Sequence, residues 1–344
     1  MRRLIIILLL LSSSFLFASS GTFWKGKGQI SANGDSLSIL NKGEKIVLKG
    51  NVKIEKDGMK IYSKKANIFE KKGYFEASGK VKIQRKYAQG DYLEAYADEL
   101  LYDVNKEMGT LKDVKSLEYT LAKDSNVFTM NGDEVIFFEK EKIVRAKGNV
   151  TMVRDSMEIN AEGRSPLIVT ADEAAFYEDK NYFEAFGNVH INRDYANGDY
   201  VDGYSDSFNF NNESQIGYMK KVSNIDYFVK KDTMIVNMVS DELELNDKLK
   251  LLTAIGNVEV SKDKGEFTMV GSQGVYNDEG GYVVFSDTPV VTQMHEKGKG
   301  VYKGEKIYFY PETNKLVIEK QVEINFYPTK ETIKEQSIDN NMMQ

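Results

Sequence analysis

Few side chains in this sequence are suited to chemistry. His190 and His295 are the only histidines, and they stand far apart in the chain. Two such residues make neither a zinc cluster nor a two-histidine relay. No cysteine is present, which removes thiolate nucleophiles, thiolate metal sites and disulfides. Asp133-Glu134, Asp172-Glu173 and Asp241-Glu242 offer oxygen ligands that calcium would accept. They recur at strand starts without the glycine-rich spacing of a calcium-binding repeat, so turn or surface roles are expected. His190 falls on an outward position of Val189-His190-Ile191 and is expected to be a solvated surface residue. The pairs Lys64-Lys65, Lys71-Lys72 and Lys220-Lys221 would suit anionic head groups or simply face water. No Gly-x-x-x-x-Gly-Lys-Ser/Thr loop occurs, so the sequence carries no phosphate-binding loop signature. With 46 Lys+Arg against 52 Asp+Glu, the net charge of −6 argues against nucleic-acid binding. No cofactor, no metal and no catalysis are expected.

What would position these residues is a set of repeats behind an export signal. Arg2-Arg3, the apolar stretch Leu4 to Leu11 and small residues up to Ser20 follow a signal-peptide pattern, with cleavage expected after Ser20. The apolar run is shorter than the roughly 20 residues needed to span a bilayer. Retention of residues 1–20 as an anchor is the alternative. No cysteine follows the cleavage point, so the chain is not expected to be a lipoprotein.

Tyr74-Phe75-Glu76-Ala77 returns as Tyr182-Phe183-Glu184-Ala185, and Gly90-Asp91-Tyr92 as Gly198-Asp199-Tyr200, both at an offset of 108. Residues 71–150 laid on 179–258 agree at about 30 of 80 positions, which marks an internal duplication. Inside it runs a shorter unit of about 31 to 39 residues: a small residue, an acid or amide, alternating apolar positions, a polar turn, then Ala-x-Gly-Asn-Val. Clean copies run from Ala171-Asp172-Glu173 to Gly187-Asn188-Val189, from Gly132-Asp133-Glu134 to Gly148-Asn149-Val150, and from Ser240-Asp241-Glu242 to Gly256-Asn257-Val258. About nine copies, some degenerate, fill residues 30–326 and leave no room for a separate catalytic domain.

The apolar period is two. Val52-Lys53-Ile54, Val81-Lys82-Ile83, Val189-His190-Ile191 and Val258-Glu259-Val260 all alternate, which predicts strands with one buried face. Turn-prone segments such as Glu178-Asp179-Lys180-Asn181 join them, and the glycine before Asn-Val predicts a bulge. The stretch 155–170, which contains Pro166, reads as a loop insertion, and residues 328–344 as a disordered polar tail. The fold class is all-β: stacked antiparallel repeats over residues 21–327.

The Ala-Asp-Glu start and the Ala-x-Gly-Asn-Val finish resemble the repeated unit of the LptA/OstA (organic solvent tolerance-like) family of periplasmic lipopolysaccharide transport proteins. The resemblance is strongest over 133–258 and weakest after 272, where Ser286-Asp287-Thr288 and Lys320-Gln321-Val322 replace Gly-Asn-Val. It implies an elongated β-jellyroll, an open V of stacked, solenoid-like repeats whose apolar interior holds acyl chains. It also implies end-to-end strand addition to inner- and outer-membrane transport components, near residues 25–55 and 300–327 respectively, and homo-oligomerisation is compatible with it. The groove-facing set is then Val52, Ile54, Val81, Ile83, Val150, Met152, Val189, Ile191, Val258 and Val260, with Lys53, Lys82, Thr151, His190 and Glu259 facing water. The bound molecule would be lipopolysaccharide or a related glycolipid. A membrane-anchored relative similar to LptC, and a dry-cored structural or adhesive solenoid, remain open. The same inward stripe describes the ordinary core of any β-sandwich. An enzyme on a β-helix, such as a polysaccharide lyase, fits worst, because duplicated sequence offers no constellation of acid, base and nucleophile that occurs once.

Overall fold

The computed structural model describes residues 19–23, 29–87, 90–122, 127–155, 166–194, 198–230, 234–246, 248–262, 266–277 and 279–329. Among them the structure is all-β and antiparallel, with short 3-10 turns and no α-helix. The chain divides into two units, residues 1–141 and 142–344. The first holds β1 (Ser19–Phe23), β2 (Ile30–Gly34), β3 (Ser36–Leu40), β4 (Lys45–Lys56), β5 (Met59–Phe69), β6 (Tyr74–Lys86), β7 (Tyr92–Asp103), β8 (Met108–Thr120) and β9 (Val127–Phe138). The second holds β10 (Ile143–Asp155), β11 (Leu167–Tyr177), β12 (Tyr182–Asp194), β13 (Tyr200–Asn211), β14 (Ile216–Val229), β15 (Met234–Asn246), β16 (Leu251–Lys262) and β17 (Phe267–Asn277). It continues with β18 (Tyr282–Ser286), β19 (Val290–His295), β20 (Gly298–Lys303), β21 (Lys306–Tyr310), β22 (Lys315–Glu319) and β23 (Glu323–Pro328).

Strands β4 to β9 pair in sequence order, as do β10 to β17, and every long strand is bent once near its middle. In β4, Ile46–Lys49 pair with Ile68–Lys65, and pairing resumes at Val52 against Ser63. The two residues between, Gly50 and Asn51, have φ of 70° and 44°. Gly-Asn repeats this at 148–149, 187–188 and 256–257, and Gly79-Lys80 does the same in β6. Two successive left-handed residues turn the strand sharply, and L side chains resist that conformation.

At three of these corners an acid sixteen residues earlier holds the asparagine. Asn51 Nδ2 donates to Asp35 Oδ2 at 2.9 Å, Asn188 to Asp172 at 2.8 Å and Asn257 to Asp241 at 2.8 Å. The same carboxylates exclude any side chain from the glycine: a Cβ at Gly187 would lie 2.5 Å from Asp172 Oδ2, and one at Gly256 2.4 Å from Asp241 Oδ2. The two sequence motifs are therefore halves of one corner, and Asp172 and Asp241, among the acids that resembled calcium ligands, serve it. In the last copies Asp287-Thr288 and Lys320-Gln321 adopt positive φ without glycine, and Gln321 Nε2 reaches Glu305 Oε1 at 2.9 Å in place of the Asn–Asp link.

Bending divides each unit into two walls. In the first, wall A comprises 36–40, 45–49, 65–69, 74–78, 99–103, 108–112 and 134–138, and wall B comprises 30–33, 52–63, 81–86, 92–97, 114–120 and 127–132. In the second, wall A runs through 143–147, 173–177, 182–186, 207–211, 216–220, 242–246, 251–255, 273–277, 282–286, 306–310 and 315–319, with the other arms in wall B. Each wall buries alternate residues: Phe75 and Ala77 on one arm of β6, Val81 and Ile83 on the other.

Three boundaries differ from the sequence reading. Leu167–Thr170, expected in a loop, begin β11 and pair with β10, because Leu167 and Val169 alternate inward; residues 156–165 lie outside the described residues. β23 ends at Pro328, the first residue of the tail expected over 328–344, and residues 330–344 lie outside the described residues. The expected cleavage point after Ser20 falls within β1, whose Ser19 and Ser20 pair with Gly34 and Asn33, while residues 1–18 lie outside the described residues.

Candidate functional site

All ten inward residues named from sequence lie in wall B and are buried: Val52, Ile54, Val81, Ile83, Val150, Val189, Val258 and Val260 at 3% exposure or less, Met152 and Ile191 at 7%. Opposite them, wall A contributes large side chains that the sequence reading did not single out. Phe75 stacks on Tyr102 at 5.1 Å in the first unit, and Phe183 meets Phe208 and Phe210 at 5.6 and 5.8 Å in the second. Near the end of the second unit Phe267 of wall B stacks on Phe309 of wall A at 4.1 Å. Wall B is thus mainly aliphatic, and wall A carries most of the buried aromatic rings.

Away from the corners, where the walls end, the interior is bordered by charge. In the first unit Glu139, just beyond β9, accepts from Tyr102 Oη at 2.5 Å and from Lys56 Nζ at 3.2 Å, with Arg85 Nη1 3.5 Å away. Lys56 and Arg85 belong to wall B, Tyr102 and Glu139 to wall A, so this cluster spans the mouth. Lys56 also pairs with Asp57 at 3.1 Å and lies 5.6 Å from the centre of the Tyr102 ring. Burial, and then the Glu139 carboxylate, push the Tyr102 hydroxyl far above its usual pKa, so it remains a proton donor. In the second unit Arg154 of wall B lies 4.8 Å from the Phe210 ring centre. Lys262 of wall B donates to Asn314 Oδ1 at 2.5 Å and sits 6.0 Å from the Phe309 ring centre. These cations escaped the sequence reading, although their signal was present: a charge in the inward phase of an alternating strand, two positions beyond Ile54, Ile83, Met152, Ile191 and Val260.

The outward faces carry polar ladders. Glu94 accepts from Gln84, Tyr92, Tyr96 and Lys82. Desolvation opposes its ionisation, but those four hydrogen bonds win and hold its pKa at about 2. His190, expected in free solvent, is instead half-buried, hydrogen-bonded to Asp202 at 2.8 Å and stacked on Tyr204 at 4.4 Å, because cross-strand neighbours on one face crowd together. Lys220 and Lys221 lie at a corner, against Glu242 and Asp206, remote from the mouth. Lys64-Lys65 occupy the β5 corner, and Lys71-Lys72 the turn before β6.

Residues 29–143 match the family described as LptA/(LptD N-terminal domain) LPS transport protein, and residues 163–287 match that described as OstA-like protein. Among solved structures, one similar chain is LptH from Pseudomonas aeruginosa, titled the LptA homologous periplasmic component of the conserved lipopolysaccharide transport device. It is 20% identical, with 35% of this chain and 82% of that chain covered at a TM-score of 0.30. No curated protein sequence matches. The two family matches take in both units and most of the bent strands, and on them this chain belongs to the LptA/OstA-like family of lipopolysaccharide transport proteins.

Proposed function

We propose that the chain is a periplasmic bridge that carries lipopolysaccharide, or a related envelope glycolipid, from the inner to the outer membrane without catalysis. The observation that carries this reading is the pair of facing apolar walls, rebuilt at every corner within each unit. A lipid crossing water would expose its chains at a cost of about 0.8 kcal/mol per CH₂, and a continuous apolar interior removes that cost. Aliphatic and aromatic walls without fixed polar partners suit chains that slide. The signal-peptide pattern of residues 1–20 supports export.

Strand addition at the ends supports joining to inner- and outer-membrane transport components, or to further copies of the chain. Among the described residues β3, β22 and β23 each pair on one side only. Ile39 and Leu40 beside the first edge, and Val322, Ile324, Phe326 and Tyr327 beside the last, are all exposed. Such edges accept another strand.

One observation favours the dry-cored structural solenoid: the inward residues already pack against one another, so chains enter only if the walls part. Photo-crosslinking in cells separates the two readings, with the probe at Val150 and then at its outward neighbour Thr151. A lipopolysaccharide adduct at Val150 and none at Thr151 is expected. Absence of an adduct at Val150, Val189 and Val258, in a folded and exported protein, would leave the solenoid. N-terminal sequencing of the mature chain tests the anchored, LptC-like alternative, which retains residues 1–20.

A further inference from the structure

The sixth residue after every corner glycine is a cation: Lys56 after Gly50, Arg85 after Gly79, Arg154 after Gly148, Arg193 after Gly187 and Lys262 after Gly256. The second and fourth residues after the same glycines are the buried apolar residues of wall B, so the sixth continues the inward phase. The structure agrees: Lys56, Arg154, Arg193 and Lys262 are 9% exposed or less, and Arg85 is half-buried. An inward charge at the edge of an apolar interior is costly to keep and is not a packing solution. It recurs in all five copies that retain the glycine. It is gone in the last two, where Gln293 and Phe326 stand six residues after Asp287 and Lys320.

Register turns these residues into a row along the mouth. Lys56 pairs with Met59 and Met59 with Arg85, so the first two cations are separated by one strand, about 10 Å of sheet. The second unit begins its row with Arg154 beside Leu167, continues through Arg193 beside Val201, and reaches Lys262 beside Phe267. The first pair also shows what such a row accepts. Glu139 Oε2 lies between Lys56 Nζ at 3.2 Å and Arg85 Nη1 at 3.5 Å, one anionic oxygen bridging two neighbouring cations. Asp57, the other acid that Lys56 contacts, is 62% exposed, and Glu139 is the carboxylate that bridges the two cations.

We propose that this row is an anion-binding ledge for the phosphate groups on the head of the carried amphiphile, and that Glu139 occupies its first position in place of a phosphate oxygen. The inference rests on the lipid-carrying reading above. An amphiphile whose chains lie between the walls leaves its head at the mouth, at the level of the cations. A phosphate carries up to two negative charges and several acceptor oxygens, which matches two cations better than a single carboxylate does, and arginine binds it bidentately. Repeating the cations along the mouth of each unit lets the head pass from one to the next within that unit while the chains stay covered.

The test measures binding of two probes to the full chain: a bisphosphorylated lipid A, and the same lipid with its phosphates removed. The wild-type protein is expected to prefer the phosphorylated form by about tenfold, the size of one charge-assisted contact. Glu139→Gln frees the first pair and is expected to raise that preference further. The triple variant Lys56→Gln, Arg85→Gln, Glu139→Gln, which leaves no charge stranded in the first mouth, is expected to lower it below the wild-type value. Equal binding of the two lipids by the wild-type protein overturns the ledge and leaves the groove standing, whereas binding of neither sinks the groove itself. A Glu139→Gln protein that binds both lipids better by one common factor makes the cluster a mechanical latch and overturns the proposal. If the triple variant does not fold, the wild-type and Glu139→Gln comparisons decide. Saturable binding of inorganic phosphate alone, lost in the triple variant, would overturn the assignment to a lipid head group.

Discussion

The two copies of the duplicated segment keep the same inner design and differ where they meet charge. Phe75 and Phe183, Val81 and Val189, Ile83 and Ile191 occupy equivalent inward positions and are buried in both. On the outer face Lys82, Gln84, Glu94 and Tyr96 of the first copy become His190, Asn192, Asp202 and Tyr204 of the second, with the hydrogen-bonding plan retained and every side chain but the tyrosine replaced. At the mouth Tyr102 becomes Phe210, so the first copy binds Glu139 through a hydroxyl where the second offers an aromatic face to Arg154. Volume and phase are held constant between the copies, whereas the means of satisfying charge are interchangeable.

The strongest way to break that equivalence is to empty the two cores. Phe75→Ala and Phe183→Ala each remove a buried ring and are expected to cost about 3–5 kcal/mol by chemical denaturation. The losses should agree within about 1 kcal/mol. A much smaller loss at Phe183 would mean that the second interior collapses or fills where the first does not.

The corners should separate the copies. A Cβ at Gly187 strikes Asp172 Oδ2 at 2.5 Å and breaks into the Asp172–Asn188 bond, whereas a Cβ at Gly79 meets only Lys64 carbons at 3.1 Å and beyond. Both positions have positive φ, 72° and 80°, at a cost of about 1–2 kcal/mol for any L residue. Gly79→Ala is therefore expected to cost about that much, and Gly187→Ala about 1 kcal/mol more for the disturbed hydrogen bond. Equal thermal shifts for the two variants would show that the Asp–Asn link contributes nothing.

Tyr102→Phe turns the mouth of the first copy into that of the second. It deletes one donor to Glu139 but leaves Lys56 and Arg85 in place, so a loss of about 1 kcal/mol is expected. A loss above about 3 kcal/mol would mean that the hydroxyl holds the whole cluster together.

Much of this was legible in the sequence because strand alternation and a glycine-amide corner leave periodic marks. Val52, Val81, Val150, Val189 and Val258 were placed inward by period alone, and the glycines marked the bends. The role of Asp35, Asp172 and Asp241 was not legible, since an acid sixteen residues before an asparagine becomes its partner only once the neighbouring strand is folded beside it. Glu139 was invisible for the same reason: it reaches Lys56 across the mouth, between walls that exist only after each strand has bent. The β11 boundary was missed because Pro166 and a polar stretch masked the alternation that begins at Leu167.

The outer ladders give the smallest and most direct comparison. Glu94 has a folded pKa of about 2, below the value of about 4.3 for a free glutamate, so its contribution is fully present above that pH. As the pH falls toward 2 the carboxylate is protonated earlier in the unfolded chain than in the folded one, and the contribution disappears. The cluster faces water, so the effect is expected to be at most about 1 kcal/mol. It should appear as a destabilisation by Glu94→Gln at neutral pH that vanishes near pH 2. The carboxyl resonance of Glu94, followed by carbon-detected NMR, should titrate near pH 2 in the wild-type protein. In a Lys82→Met variant, which removes the cation, the Tyr92, Tyr96 and Gln84 bonds persist, so the Glu94 titration should stay below that of a free glutamate. A midpoint that returned to about 4.3 in that variant would show that Lys82, and not the tyrosine and amide donors, holds the charge.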